Sequence, residues 1–597
     1  MVTVLAVNYT AVIGWDTLII DYLWFGLLVG VFLTGTFSMG MFKAEAENRG
    51  ETGWPGPREC AFFLTVTVIF AAPALIFPVP LDTDAQGFGY LALMLRDGGS
   101  FTTLAPFHPD IQYLYSPGFT VMVAYLAKAL NANIANIQLA LGAILSVLFV
   151  WLSYDFGNEV MGETGTRRTG IAFACAALIG TGLLMAHLDS HYTSLLGLVF
   201  SLAVLTFVGR WIKHGKRVDL FAGAVCLAAV PITHPDTTII LIIGYVPALL
   251  LFWVAKHPEL SRRQQVTRWL GVAVGIPLLG LFQTAPWLIQ LRPLLNSGIA
   301  SPFEIDLRHL IVMTVYQGGV IVILCVIGVW IGIRRRSFFD LLMIGWVVMI
   351  IDFSSLGILE RIFPTLLAPI LKYDYPFSVA WHGPIIPYSY LGGVALLWLI
   401  ERLGKRSGKN QWEERIKLAS LPVMIGVAAI VLIVVLTAPS LAVASKNTPL
   451  RIFGAFSSHA DVRAMEWIKL NTPKNAVILN HPGPQEGDWV PVIAERDTIF
   501  FRPQPFFRGT ERADQRAADL LTFWKNPNDP GLPALLQKHG VTYVIIPQII
   551  AAPERTPEMY RWRPPSPEAI LSVNLSGVSY LQRVFEFEGA IVYAVKS

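Results

Sequence analysis

Two carboxylates, Asp82 and Asp84, follow directly on an apolar run at residues 62–78 that is long enough to reach across much of a bilayer. Ionisable side chains at that depth cost free energy, so a segment that keeps two of them points to function. A carboxylate at a membrane boundary can take a proton from an attacking hydroxyl. Other polar residues recur at the ends of later apolar runs. HLDSH supplies His187, Asp189 and His191, with the two histidines spaced for one face of a helix and for metal ligation. Of the three, Asp189 suits a hard ion such as Mg²⁺ or Mn²⁺ best. THPD supplies His234 and Asp236, and Glu304, Asp306, His309, Asp352 and Asp374 follow. Arg292, Arg308 and Lys372 are the cations that a departing phosphate group would require. Tyr115, His234 and Asp236 are candidates to line a cavity for an acceptor.

Each residue also has a plainer reading. Thr83-Asp84-Ala85-Gln86 opens a helix as a capping box would, so Asp84 can simply support the helix dipole. Histidines at an interface are often hydrogen-bonded surface groups, and THPD has the form of a turn with an Asx cap. The three basic residues can be snorkelling.

The elements that must position these groups come from composition and charge. The 597-residue chain is 54% hydrophobic and 14% charged, against about 25% charged in soluble domains. It is therefore a polytopic membrane protein. Twelve segments are long or apolar enough to span, at residues 17–41, 60–80, 134–155, 169–187, 192–210, 218–234, 237–255, 269–288, 310–333, 338–354, 384–401 and 418–443. With the N-terminus outside, the inner loops hold 22 Lys and Arg and the outer loops, before the C-terminal segment, hold six. Short basic loops stay in the cytoplasm. An integral plasma-membrane protein with both the N-terminus and the C-terminal segment extracytoplasmic is expected. The acids and histidines then gather on the outer face.

Residues 84–98, 119–130 and 358–370 are too short to cross, and they read as helices lying in the outer interface, around a cavity open to lipid and water. In the first of them Phe88, Leu91, Ala92 and Leu95 share one side. From residue 444 onward the composition becomes that of a soluble domain. Helices are expected at 461–470, 511–525 and 531–539, strands at NAVILN, TIFF and VTYVIIP, and a hairpin turned at Glu588-Gly589. The expected fold class is thus an all-α membrane domain over residues 1–443 and a small extracytoplasmic α/β domain over 444–597. Cys60, Cys175, Cys226 and Cys325 lie inside apolar runs without metal spacing and read as core residues. No cleaved signal peptide is expected. The basic residues form short clusters and no continuous basic face, which excludes a nucleic-acid partner.

Asp84, Phe88, Ala92, Leu95 and Gly98 or Gly99, followed by Ser116-Pro117-Gly118, resemble the first outer loop of the GT-C class of membrane glycosyltransferases. That class includes the protein O-mannosyltransferases, the aminoarabinose transferases of lipid A and the catalytic subunit of oligosaccharyltransferase. The acid that often follows the first Asp in the class is Ala85 here, which leaves Asp82 as the only substitute for it. Trp467, Asn471, Thr472 and Pro473 are similar to a segment of oligosaccharyltransferases. HPGPQEGDW stands where those enzymes carry WWDYG, so transfer to asparagine is disfavoured.

The resemblance implies a polyprenyl-phosphate-sugar donor, membrane lipids around it, and an extracytoplasmic acceptor hydroxyl on a glycan, lipid or protein. Asp84 would deprotonate the acceptor during inverting transfer, with no nucleotide or redox cofactor and with a divalent metal as the candidate cofactor. Two other readings stand beside it. A transporter would place its polar groups nearer the midplane on interrupted helices, and a non-catalytic scaffold of the same class would be consistent with Ala85.

Overall fold

The computed structural model describes residues 57–81, 83–100, 102–113, 115–161, 168–257, 259–295, 304–363, 375–406, 457–482, 489–501, 506–552, 555 and 575–596. Among the described residues seven helices are long and apolar enough to cross a membrane, or nine if each of two bent pairs counts as one span. The protein is an integral, multi-pass membrane protein. Of the twelve expected spans, those at 17–41 and 418–443 lie outside the described residues. The one at 218–234 forms the helix Arg217–Thr233, only 17 residues long.

Two expected spans are broken, and the breaks support one another. Residues 169–187 form two helices bent by 55° after Ile179, and residues 310–333 form two helices bent by 100° after Val315. A broken helix in an apolar medium leaves backbone groups that must find partners. Here the Thr181 amide donates to the Gln317 carbonyl at 2.9 Å, and the Thr181 hydroxyl donates to the Tyr316 carbonyl at 2.6 Å. The Gln317 side chain in turn donates to the Trp381 carbonyl at 2.6 Å. Periodicity reads such segments as single helices because the partners are remote in sequence.

By its contacts the chain divides into two compact units. The first comprises Met1–Phe70, Ile144–His187 and Thr193–Ala444. It is a helical bundle in which Gly319–Arg335 packs on Ile385–Arg406 and Pro235–Val254 packs on Phe338–Ile351. Small residues let these backbones approach, as is common between membrane helices. A Cβ at Gly328 would lie 2.1 Å from the Leu391 carbonyl oxygen, and one at Gly244 would lie 2.0 Å from the buried Trp346 ring.

The second unit comprises Ala71–Ala143, Leu188–Tyr192 and Ser445–Ser597. The C-terminal segment therefore shares a unit with the first loop. Its sheet has five strands in the order Asp497–Thr498, Val477–Leu479, Val541–Ile546, Ala590–Val595 and Leu581–Phe587. The first three run parallel and the hairpin pairs antiparallel. Glu588 and Gly589 both have positive φ, as a tight two-residue hairpin turn requires. The helices Glu511–Lys525 and Leu532–Lys538 cover the sheet through Leu520, Phe523, Trp524 and Leu536. A smaller sheet joins loop to C-terminal segment, with His108–Tyr113 pairing Thr103–Leu104 on one side and Phe507–Arg508 on the other.

Residues 84–98 and 119–130, expected as interfacial helices, form the helices Thr83–Gly98 and Gly118–Ala129, which pack within this unit. The helix Thr83–Gly98 buries Tyr90, Leu93 and Met94 as well as Phe88, Leu91, Ala92 and Leu95. A helix covered on every side is a core helix. It packs against Gly118–Ala129, which itself buries Phe119, Val121, Val123 and Ala124, and against Val490–Ile493. Of residues 358–370, Ile358–Ile362 is helical and residues 364–370 lie outside the described residues.

The close approach at Gly328 yields a direct test. Gly328→Val sets a methine against a backbone carbonyl that cannot move aside, and overpacking of this kind costs about 1–3 kcal/mol. Thermal unfolding in detergent is expected to show a Tm several degrees lower, and an unchanged Tm would contradict the packing.

Candidate functional site

Asp84 lies in the first turn of Thr83–Gly98, where unbonded backbone amides favour a carboxylate. Residues 85–95 of the helix are buried, yet the Asp84 side chain keeps 30% exposure, and its Oδ2 lies 3.3 Å from Nε2 of His191, which is 11% exposed. Both residues belong to the second unit. The next position, Ala85, is fully buried. Its burial accounts for the missing second acid, since a carboxylate there would be desolvated.

Three features hold this pair. The Gln138 side chain is fully buried and its Nε2 donates to the Ala85 carbonyl at 2.8 Å. Gly89, one turn after Ala85, leaves room for that amide, as a Cβ there would lie 3.0 Å from Gln138 Oε1. Tyr192, next to His191, is buried against Gly142, where a Cβ would lie 2.3 Å from its ring. Sequence reading passed over Gln138. Its signal was a polar amide inside the otherwise apolar run 134–155, since a buried amide in such a run must find a partner.

HLDSH does not put His187 and His191 on one helical face. The helix Thr181–Leu188 ends before Asp189, and Ser190 takes φ 58 before the helix Tyr192–His214 begins. His187 instead meets Ser146 through Nδ1 at 3.2 Å and Phe70 edge-on. Asp189 is buried in the turn beside His191. Among the described residues no three His, Cys, Asp or Glu side chains come together as metal ligands would.

The remaining expected residues fall as follows. Tyr115 packs on Phe88, one turn beyond Asp84, at 5.0 Å, and on Phe506 at 4.7 Å. His234 is the N-cap of Pro235–Val254: its Nδ1 accepts from the Thr237 amide at 3.1 Å, Pro235 follows at the favoured position, and Ser194 lies 3.3 Å from Nε2. The cap in THPD is thus the histidine, and Asp236 sits half-buried in the first turn. Arg308 is exposed and its Nε donates to Asp306 at 2.6 Å. Arg292 lies on Ile276–Leu295, but its side chain, like Asp82 and Lys372, is outside the described residues. Asn471, Thr472 and Pro473 end the helix His459–Asn471, where Arg496 donates to the Lys469 and Thr472 carbonyls at 2.8 Å each.

This arrangement has the GT-C fold. The structure of ArnT from Cupriavidus metallidurans bound to undecaprenyl phosphate is similar with a TM-score of 0.53, at 14% identity, over 89% of this chain and 97% of that one. The chain belongs to the DUF6541 family, a family of unknown function whose model matches residues 2–569. Weaker likenesses, without weight here, are the archaeal oligosaccharyltransferase AglB from Archaeoglobus fulgidus and the arabinofuranosyltransferase AftD from Mycobacteria. AglB has a TM-score of 0.42 at 14% identity over 91% of this chain and 75% of that one. AftD has a TM-score of 0.48 at 14% identity over 90% of this chain and 41% of that one. No curated protein matches the sequence.

Within the same unit, His108 Nε2 lies 3.5 Å from Asp497 Oδ1. Burial pushes the His108 imidazole below its ordinary pKa, and the Asp497 charge offsets this only in part. The unfolded chain then binds the proton at a higher pH than the folded one. The stability contributed is intact above about pH 6.5 and is lost as pH falls below it. Tm should drop on going from pH 7.5 to pH 5.5, and by less in His108→Gln. Equal drops in the two proteins would contradict this account.

Proposed function

We propose that the protein is an inverting glycosyltransferase that moves a sugar from a polyprenyl-phosphate donor to an acceptor hydroxyl outside the cytoplasm. The observation that carries the reading is the Asp84–His191 pair, reached by solvent through Asp84 at the start of a helix buried over residues 85–95, in a chain with the fold of an enzyme solved with undecaprenyl phosphate. The acceptor oxygen attacks the anomeric carbon while its proton passes to the Asp84 carboxylate. The bond from that carbon to the phosphate oxygen breaks on the opposite side, and the lipid phosphate leaves with the electron pair. His191 orients the carboxylate, and Gln138 fixes the first turn that carries it. Arg292, Arg308 and Lys372 are the proposed cations for the leaving phosphate.

The test uses purified protein in liposomes with undecaprenyl-phosphate carrying a labelled hexose or pentose, and a cell-envelope fraction as acceptor. Asp84→Asn should fold normally and lose transfer by at least about a hundredfold, in keeping with removal of a general base. His191→Gln and Gln138→Leu should lose about ten- to a hundredfold through misplacement. Unchanged transfer in Asp84→Asn would refute the role of Asp84 as the base, and absence of transfer by the parent protein would favour a scaffold.

The orientation rests on the excess of Lys and Arg in alternate loops. We place the protein in the plasma membrane with both the N-terminus and the C-terminal segment outside. Ser579 is exposed on the C-terminal segment. In a cysteine-free background, Ser579→Cys should react with a membrane-impermeant maleimide in intact spheroplasts, and labelling only after lysis would reverse the assignment.

A further inference from the structure

The small sheet that joins the first loop to the C-terminal segment stands beside a second polar cluster. Arg516 donates to Asp497 Oδ2 through Nη1 at 2.9 Å. Its Nε and Nη2 are buried and have no hydrogen-bond partner among the described residues. The same holds for Asp497 Oδ1, for His108 Nε2, which approaches that oxygen only to 3.5 Å, and for the Tyr90 hydroxyl. Tyr90 and His108 are both more than nine-tenths buried. Both rings pack on Phe501, Tyr90 stacked at 5.3 Å and His108 tilted at 4.8 Å. The Tyr90 hydroxyl also lies within the fields of Asp497 and Arg516. Arg516 and Asp497 keep 16% and 19% side-chain exposure, while Tyr90 and His108 lie deeper.

Buried polar atoms are almost always satisfied, and those without a protein partner call for water or a ligand. The chemistry of the set selects among ligands. A simple anion would meet Arg516 but would be repelled by Asp497 Oδ1. A lipid chain would leave every one of these atoms unsatisfied. A sugar hydroxyl both donates and accepts, so vicinal hydroxyls can donate to Asp497 while accepting from Arg516 and Tyr90. We infer that Tyr90, His108, Asp497 and Arg516 form a saccharide-binding subsite, and that the acceptor of the proposed transfer is a glycan. The acceptor assignment rests on the function proposed above, while saccharide binding itself does not.

The test is saturation-transfer NMR on the full-length protein in nanodiscs. The probes are the methyl α-glycosides of mannopyranose, glucopyranose and arabinofuranose and their disaccharides, with inorganic phosphate and a serine-containing hexapeptide as comparators. At least one glycoside should bind, and Tyr90→Phe should weaken it about five- to tenfold, the worth of one hydrogen bond. Tyr90→Phe removes an unsatisfied hydroxyl and keeps the ring, so it should fold with its Tm preserved. Arg516→Met should weaken binding further. Binding of no glycoside, equal binding in Tyr90→Phe, or preference for phosphate or peptide would each overturn the inference; a water-filled cluster gives the first of these results. Asp84→Asn should bind the glycoside as the parent does. Glycoside binding without Asp84-dependent transfer would therefore refute the proposed function alone, and transfer without glycoside binding would refute the subsite alone.

Discussion

Burial of the Thr83–Gly98 helix is the constraint on which the second unit depends. Residues 85–95 of this helix are covered on all sides, so polar groups along it need partners away from bulk water. Gln138 provides one for the Ala85 carbonyl at the start, and Arg96 finds one at the far end by pairing with Glu495 at 2.9 Å. The helix is held at both ends, and water reaches it at its first turn and again at residues 96–98. A carboxylate in that turn gains from the helix amides and keeps enough solvent to stay reactive. Asp84 occupies that position.

The same constraint explains what surrounds the pair. Ala85 points into the core, where a second carboxylate could not remain charged without a partner. His191 reaches Asp84 from a five-residue segment, Leu188–Tyr192, that leaves the membrane bundle's unit and joins the loop's unit. Tyr192 and Gly142 fix that segment by close packing, so the imidazole is placed by steric fit as well as by the 3.3 Å contact. Fixed placement of this kind is what the proposed role of Asp84 as a base requires.

Much of this could be read in the chain, and the exceptions have identifiable causes. The apolar runs set the helices, and the hairpin is legible at Glu588-Gly589 because Gly589 accepts positive φ freely. Asp84 stood out because an acid after an apolar run is costly. The burial of residues 85–95 on every side is carried by Tyr90, Leu93 and Met94 as much as by the one apolar side of Phe88, Leu91, Ala92 and Leu95. The break in HLDSH had no local sign, since Ser190 carries a left-handed conformation usually left to Gly or Asn. The contacts of His191 with Asp84, of Gln138 with Ala85 and of Thr181 with Gln317 join residues far apart in sequence. No spacing rule reaches them. His234 was visible as a polar residue between spans, but its role as a cap depended on the backbone turning at Pro235.

The central claim is that the Asp84 carboxylate faces the place where the lipid phosphate and the sugar meet. Cryo-electron microscopy of the protein with undecaprenyl phosphate added tests it most directly. The account predicts density for the lipid phosphate beside the Asp84–His191 pair, with a basic side chain on its far side. A phosphate bound elsewhere in the bundle, with Asp84 turned into backbone hydrogen bonds, would contradict it.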